Sequence, residues 1–147
     1  MVTAIDIAGR KVGPGQPCFI IAEAGVNHNG SLEMAHQLVD VAIQAGADAV
    51  KFQTFRTEHY VTRLDVARFE RLKSFELTFR QFEQLSELAH SLGLLFISTP
   101  FDLASANLLE SIVDYYKIAS GDNDFYPLID QVVQRGNPVS ISTQIGR

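Results

Sequence analysis

A chain of 147 residues with 46% hydrophobic and 20% charged side chains has the composition of one ordinary globular domain, not of a disordered segment. Its net charge of -5 argues against a nucleic-acid footprint or an affinity for acidic membrane surfaces. The single cysteine, Cys18, excludes an internal disulfide framework.

The opening stretch MVTAIDIAGRKVGPGQP lacks an apolar core long enough for a signal peptide. No apolar run approaches the roughly 20 residues of a membrane span, so a cytoplasmic protein is expected. The first element expected is a strand over residues 18–25, CFIIAEAG, with Cys18 as a small buried hydrophobe. SLEMAHQLVDVAIQAG follows as a helix with Leu32, Ala35, Leu38, Val39 and Ala42 on one face. Ser31 is its expected N-cap, Glu33 favours the dipole of its first turn, and Gly46 ends it. AVKFQTF reads as the second strand, and residues 56–75 as a loop with short helical pieces. TFRQFEQLSELAHSLG is the next helix, capped by Thr78 and stopped by Gly93, with Phe82, Leu85, Leu88 and Ala89 on its apolar face. LLFIST, DYYKIAS and PVSIST then read as strands, separated by the helices DLASANLLESI and FYPLIDQVVQRG.

Near-continuous apolar strands separated by helices predict a parallel sheet covered on both faces. The alternation suits either a doubly wound sheet or part of a (β/α)8 barrel. No G-x-G-x-x-G follows the first strand, which weighs against a dinucleotide-binding fold.

The strands share one feature: each finishes in polar residues. Glu23 ends the first, Lys51 and Gln53 lie on the second, and Ser98 and Thr99 end the third. Lys117 and Ser120, with Asp122 just beyond, mark the fourth, and Ser142 and Thr143 the fifth. Any one strand-end hydroxyl is more often a cap or turn residue than a ligand, and a lysine beside a carboxylate reads also as a structural pair. Five strand ends in agreement point to the rim where barrel enzymes keep their chemistry. Two lysines, carboxylates, an amide and hydroxyls facing one place suit a small, strongly anionic ligand. The lysines admit two chemistries. One of them loses its proton and forms a Schiff base, or both stay charged and hold phosphate or carboxylate groups. The neighbouring hydroxyls of Thr99, Ser120 and Ser142 favour the second.

Four segments, IIAEAGVNHNGSLEMA, AGADAVKFQTF, FISTPFD and YYKIASGDNDFYPLI, closely resemble the sialic acid synthase (NeuB-like) family, in order and through most of the chain. The resemblance implies condensation of phosphoenolpyruvate with N-acetylmannosamine or a related amino-sugar aldehyde. It implies an α/β fold of the (β/α)8 TIM-barrel type, of which residues 1–147 hold about the first five strands and four helices. It also implies a divalent metal, Mn2+ or Mg2+, and a homo-oligomer in which an antifreeze-like domain reaches into a partner's site.

Carried over by motif, Lys51, Thr99, Lys117, Ser120 and Ser142 would bind phosphoenolpyruvate, and Gln53 would line the same pocket. Glu23 would lie beside the condensing carbons. Asp122 stands where other members carry Glu, and its shorter arm holds the carboxylate back. His28, in NHNG, could carry a proton, although an Asn/Gly-rich turn is needed there in any case for chain reversal. By the same resemblance, strands six to eight, two metal-binding histidines and the antifreeze-like domain fall after Arg147. No metal ligand is therefore expected in this chain, and on its own it is expected to be inactive. The resemblance also departs at STQIGR, where Gln144 replaces a usual Gly. Two other readings stay open: a related 3-deoxy sugar acid synthase, and a non-catalytic half-barrel that binds an anion or a partner.

Overall fold

The apolar runs assemble into one five-stranded, all-parallel sheet in the computed structural model, which describes residues 3–143. Its strands are β3 (Ile21–Gly25), β4 (Ala49–Thr54), β5 (Leu95–Pro100), β6 (Tyr115–Ile118) and β7 (Val139–Ile141), each beside the next in chain order. They are preceded by a two-stranded antiparallel hairpin, β1 (Ile5–Ile7) and β2 (Arg10–Val12). The helices are α1 (Leu32–Gln44), α2 (Thr57–Tyr60), α3 (Val66–Phe75), α4 (Phe79–Ser91), α5 (Leu103–Leu109) and α6 (Tyr126–Val133). Gln144 and the residues after it lie outside the described residues.

Local chemistry sets the helix starts as expected. Ser31 Oγ accepts from the Met34 N–H, and Thr78 and Gln81 form a reciprocal capping box at α4. Asp102 caps α5 by accepting from the Ser105 N–H at 2.8 Å. The buried residues of α1 are Ala35, Val39 and Ala42, and those of α4 include Phe82, Leu85 and Ala89, so the apolar stripes face inward.

The sheet's two faces are covered differently, and this decides the architecture. Residues of α1, α4, α5 and α6 pack in one cluster with Val50, Phe52, Phe96, Tyr116 and Ile118. The other face carries a separate, smaller cluster of Ala49, Ile97 and Tyr115, closed by Ile7 of the hairpin with Val12 and Phe19. A sheet with all its connecting helices on one side is a barrel wall, not a doubly wound sheet. Both faces are covered, as expected, but not alike: the helices pack on the outer face, and among the described residues a hairpin plugs the inner face at the end where the strands begin.

That hairpin is absent from the sequence reading. Its turn is Ala8–Gly9, with φ of 49° and 86°, the pattern of a type I′ connection; Ala-Gly is a weak signal for it beside Asn-Gly. Arg10 anchors the hairpin by an ion pair to Asp48 and a bond to the Gly93 carbonyl. Cys18 is exposed and precedes β3, so it is not the buried strand residue expected. The excursion after β4 holds the helical pieces expected, one of them longer than short: α3 runs ten residues, none of them buried.

Among the described residues, β3 and β7 each pair on one edge only. Unpaired strand edges template further pairing. The 147-residue chain expressed alone should therefore associate, with copies of itself or with a barrel-completing segment. Light scattering that finds a clean monomer at micromolar concentration would refute this expectation.

Candidate functional site

Above the apolar floor of the inner face lies a charged layer. Alternation along each strand puts Lys51 and Gln53 on the side of Ala49, Thr99 on that of Ile97, and Lys117 on that of Tyr115. Register then brings the strands' contributions together. Glu23 is paired with Lys51, Gln53 with Thr99, and Lys117 with Ser140.

The Lys51 ammonium donates to Glu23 Oε2 in an ion pair whose lysine is 14% exposed and whose glutamate is 51% exposed. Lys117 Nζ donates to Ser142 Oγ at 2.6 Å and to the Ile118 carbonyl at 2.5 Å. Burial holds the Lys117 pKa below the ordinary lysine value; the Lys51 charge lowers it further, and Glu23 partly offsets both. The two ammonium groups and the Glu23 carboxylate thus share one electrostatic field. Thr99 is buried beside them, and Gln53 is half-buried.

Six of the eight residues singled out from sequence therefore line the inner face: Glu23, Lys51, Gln53, Thr99, Lys117 and Ser142. Ser120 and Asp122 sit on a 3-10 turn, Ser120–Asp122, that follows β6. Both are half-buried there, with no hydrogen bond or ion pair to the other six among the described residues. Burial, reinforced by Asp124, raises the Asp122 pKa. Ser98 belongs elsewhere: it points to the helical side, fully buried, with its Oγ 2.8 Å from Thr54 Oγ1. Thr143 is exposed beyond β7.

Sequence reasoning missed Tyr115, whose hydroxyl lies 2.6 Å from Ser140 Oγ one layer below the lysines. Counting back two residues from Lys117 and from Ser142 would have found that pair.

His28 plays the structural part. It is buried beside Phe52, with ring centroids 6.1 Å apart, and its Nδ1 accepts from the Gly30 N–H at 3.0 Å. Nε2 has no partner among the described residues. Burial lowers the His28 pKa below its ordinary 6.5, so the unfolded chain binds the proton more readily than the folded one. The resulting stability is present above pH 6.5 and is lost as pH falls from there through the lower folded pKa. Urea unfolding should show this loss between pH 7.5 and 5.5, and a smaller one in His28→Gln; equal losses in both would remove His28 as the cause.

Among the described residues, no three His, Cys, Asp or Glu side chains gather closely enough to hold a metal ion. Glu23 is engaged by Lys51, His90 by Asp114 at 2.7 Å, and His59 by Asp102 at 3.5 Å. These residues do not fit a metal centre. An open cavity of about 530 Å³ lies over the start of α5, lined by His59, Asp102, Asn107 and Phe125, and shares no residue with the lysine layer. Among the described residues, no helix is long and apolar enough to cross a membrane.

Known proteins resemble this chain in sequence and in fold. The chain is 42% identical to the N,N'-diacetyllegionaminic acid synthase of Legionella pneumophila, over 89% of this chain and 41% of that protein. The crystal structure of the N-acetylneuraminic acid (sialic acid) synthetase of Leptospira borgpetersenii, in complex with citrate, superposes with a TM-score of 0.92. It is 34% identical and is matched over 99% of this chain and 51% of that one. A truncated 3-deoxy-D-arabino-heptulosonate 7-phosphate synthase from Thermotoga maritima gives a TM-score of 0.68 at 17% identity, over 95% of this chain and 44% of that one, a likeness of fold alone. The chain spans 41% of the length of the curated relatives it matches. Residues 38–146 match the NeuB family itself, and with relatives of this identity the chain belongs to that family.

Proposed function

We propose that the lysine layer binds phosphoenolpyruvate, and that the complete protein condenses it with an amino-sugar aldehyde of the N-acetylmannosamine kind to give a nonulosonic acid and phosphate. The observation that carries this reading is the pairing of two half-buried lysines on one inner face. One is neutralised by a carboxylate; the other, among the described residues, is held by a hydroxyl and a carbonyl. A partly desolvated Lys117 with no counter-ion of its own among the described residues is suited to an anion. The citrate complex of the Leptospira relative supports a polyanionic ligand for this fold.

In the reaction proposed, the enol carbon of phosphoenolpyruvate attacks the aldehyde carbon, and the aldehyde oxygen takes a proton to become a hydroxyl. Water adds to the oxocarbenium carbon left behind, and C–O cleavage releases phosphate. Lys51 and Lys117 neutralise the carboxylate and phosphate, with Thr99, Ser142 and Gln53 fixing their orientation. When Lys51 turns to the anion it releases Glu23, whose carboxylate is then free to hold or move a proton beside the new bond. Ser120 and Asp122 enter this reading as rim residues of the same site. A divalent Mn2+ or Mg2+ would polarise the aldehyde; no set of described residues fits it. The homo-oligomer and the cytoplasmic location belong to the same proposal.

The test is phosphate release from phosphoenolpyruvate by the complete protein, with and without N-acetylmannosamine. Release that depends on the sugar supports the reading. Tight phosphoenolpyruvate binding with no release from any amino sugar would leave an anion-binding half-barrel instead.

A further inference from the structure

β3 loses its regular register against β4 between Glu23 and Gly25, where an irregularity of the bulge kind interrupts the ladder. Gly25 is buried at that point in left-handed backbone, with φ of +55°. The backbone alone would explain a glycine here. The surroundings make a second demand: a Cβ on Gly25 would stand 3.3 Å from Glu23 Oε1 and 3.8 Å from Gln53 Nε2. The first distance is tighter than ordinary van der Waals contact, so the carboxylate would have to give by a few tenths of an ångström. Its other oxygen, Oε2, is the one that accepts from Lys51. The carboxylate therefore spans two constraints, the lysine at one oxygen and the bare glycine backbone at the other.

From these contacts we infer that Gly25 is a positioning residue: the space left by its missing side chain sets the Glu23 carboxylate against Lys51 and beside Gln53. A branched or methylated residue there would fill the space and move the carboxylate off its seat. The geometric part of this inference stands alone; its effect on turnover rests on the functional reading above. Moving a reacting group off its productive geometry costs rate, while Lys51 left without its carboxylate stays available to an anion.

The experiment compares the complete protein with Gly25→Ala, Gly25→Asn, Glu23→Gln and the double variant Gly25→Ala/Glu23→Gln. Asn enters left-handed backbone more readily than Ala and still carries a Cβ, which separates strain from crowding. Both single Gly25 variants should lose about tenfold in kcat while phosphoenolpyruvate affinity holds or rises, and Gly25→Asn should keep the higher Tm. In the Glu23→Gln background the Gly25→Ala change should cost less than about twofold further, because the group it displaces is already disabled. A crystal structure of Gly25→Ala should show Glu23 shifted from Lys51. Equal losses in both backgrounds, or phosphoenolpyruvate affinity falling together with kcat, would overturn the inference. Glu23 still seated on Lys51 in that crystal structure would overturn it whatever the reaction proves to be. If instead the parent protein turns over no phosphoenolpyruvate while Glu23 is displaced in the variant, the functional reading fails and the positioning role survives.

Discussion

Replacing Lys117 with alanine should weaken phosphoenolpyruvate binding to the complete protein by about 2–5 kcal/mol, the cost of removing one partner of a desolvated charge pair. Lys51→Ala should fall toward the lower end of that range. The two lysines start from different states. Lys51 already has a counter-charge in the Glu23 carboxylate, so an incoming phosphate competes with that ion pair and gains less from it. Lys117's partners among the described residues, the Ser142 hydroxyl and the Ile118 carbonyl, are both neutral, so it gains a full counter-charge. Its pKa is lowered chiefly by burial and then by Lys51, and an anion beside it would raise that pKa again. Phosphoenolpyruvate affinity should therefore decline as pH rises through the lowered Lys117 pKa, earlier than for an ordinary lysine, and Lys117→Ala should abolish that decline. Calorimetric titration across pH measures both effects. Unchanged affinity in both variants would sink the anion clamp. Borohydride trapping that labels either lysine in the presence of substrate would put a Schiff base in its place.

Glu23→Gln should lower kcat by on the order of 10²-fold or more with little change in KM, the pattern of a group that acts as protons and charge redistribute. The substitution keeps the shape of the side chain and its contact over Gly25 while removing the charge. Glu23 is half exposed even when paired with Lys51, so water and substrate both reach it. Losing its charge also frees Lys51 for the anion, which acts against any rise in KM. Steady-state rates of phosphate release in the parent and the variant decide the matter. Near-normal kcat would reduce Glu23 to the structural partner of Lys51.

Much of the local architecture was legible in the chain. The caps at Ser31 and Thr78, the apolar stripes of α1 and α4 and the five parallel strands follow from short-range periodicity and turn chemistry, which operate over a few residues. The strand alternation alone put Lys51 and Gln53 on the same side of β4. The same logic went astray at Cys18, where an apolar run continued past the point at which the sheet begins, and at Ala8–Gly9, where the turn lacks its usual residues. The helical pieces expected after β4 are there, but the length of α3 was not legible, because none of its residues is buried and it leaves little apolar stripe to detect.

By itself the sequence determined which residues could reach a strand end, and with what charge. Only the tertiary structure decided which of them meet. Glu23 and Lys51 are 28 residues apart, and their contact depends on the register of β3 against β4, which packing over the whole sheet sets. Ser98 and Thr99 are neighbours in sequence, yet one faces the helices and the other the lysines, because a strand turns alternate side chains to opposite faces. The polar strand ends and the family resemblance pointed to a barrel, but what covers each face of the sheet was beyond local pattern. Apolar strands report that both faces are covered, but not by what, and here one face took four helices while the other took a hairpin and a layer of charge.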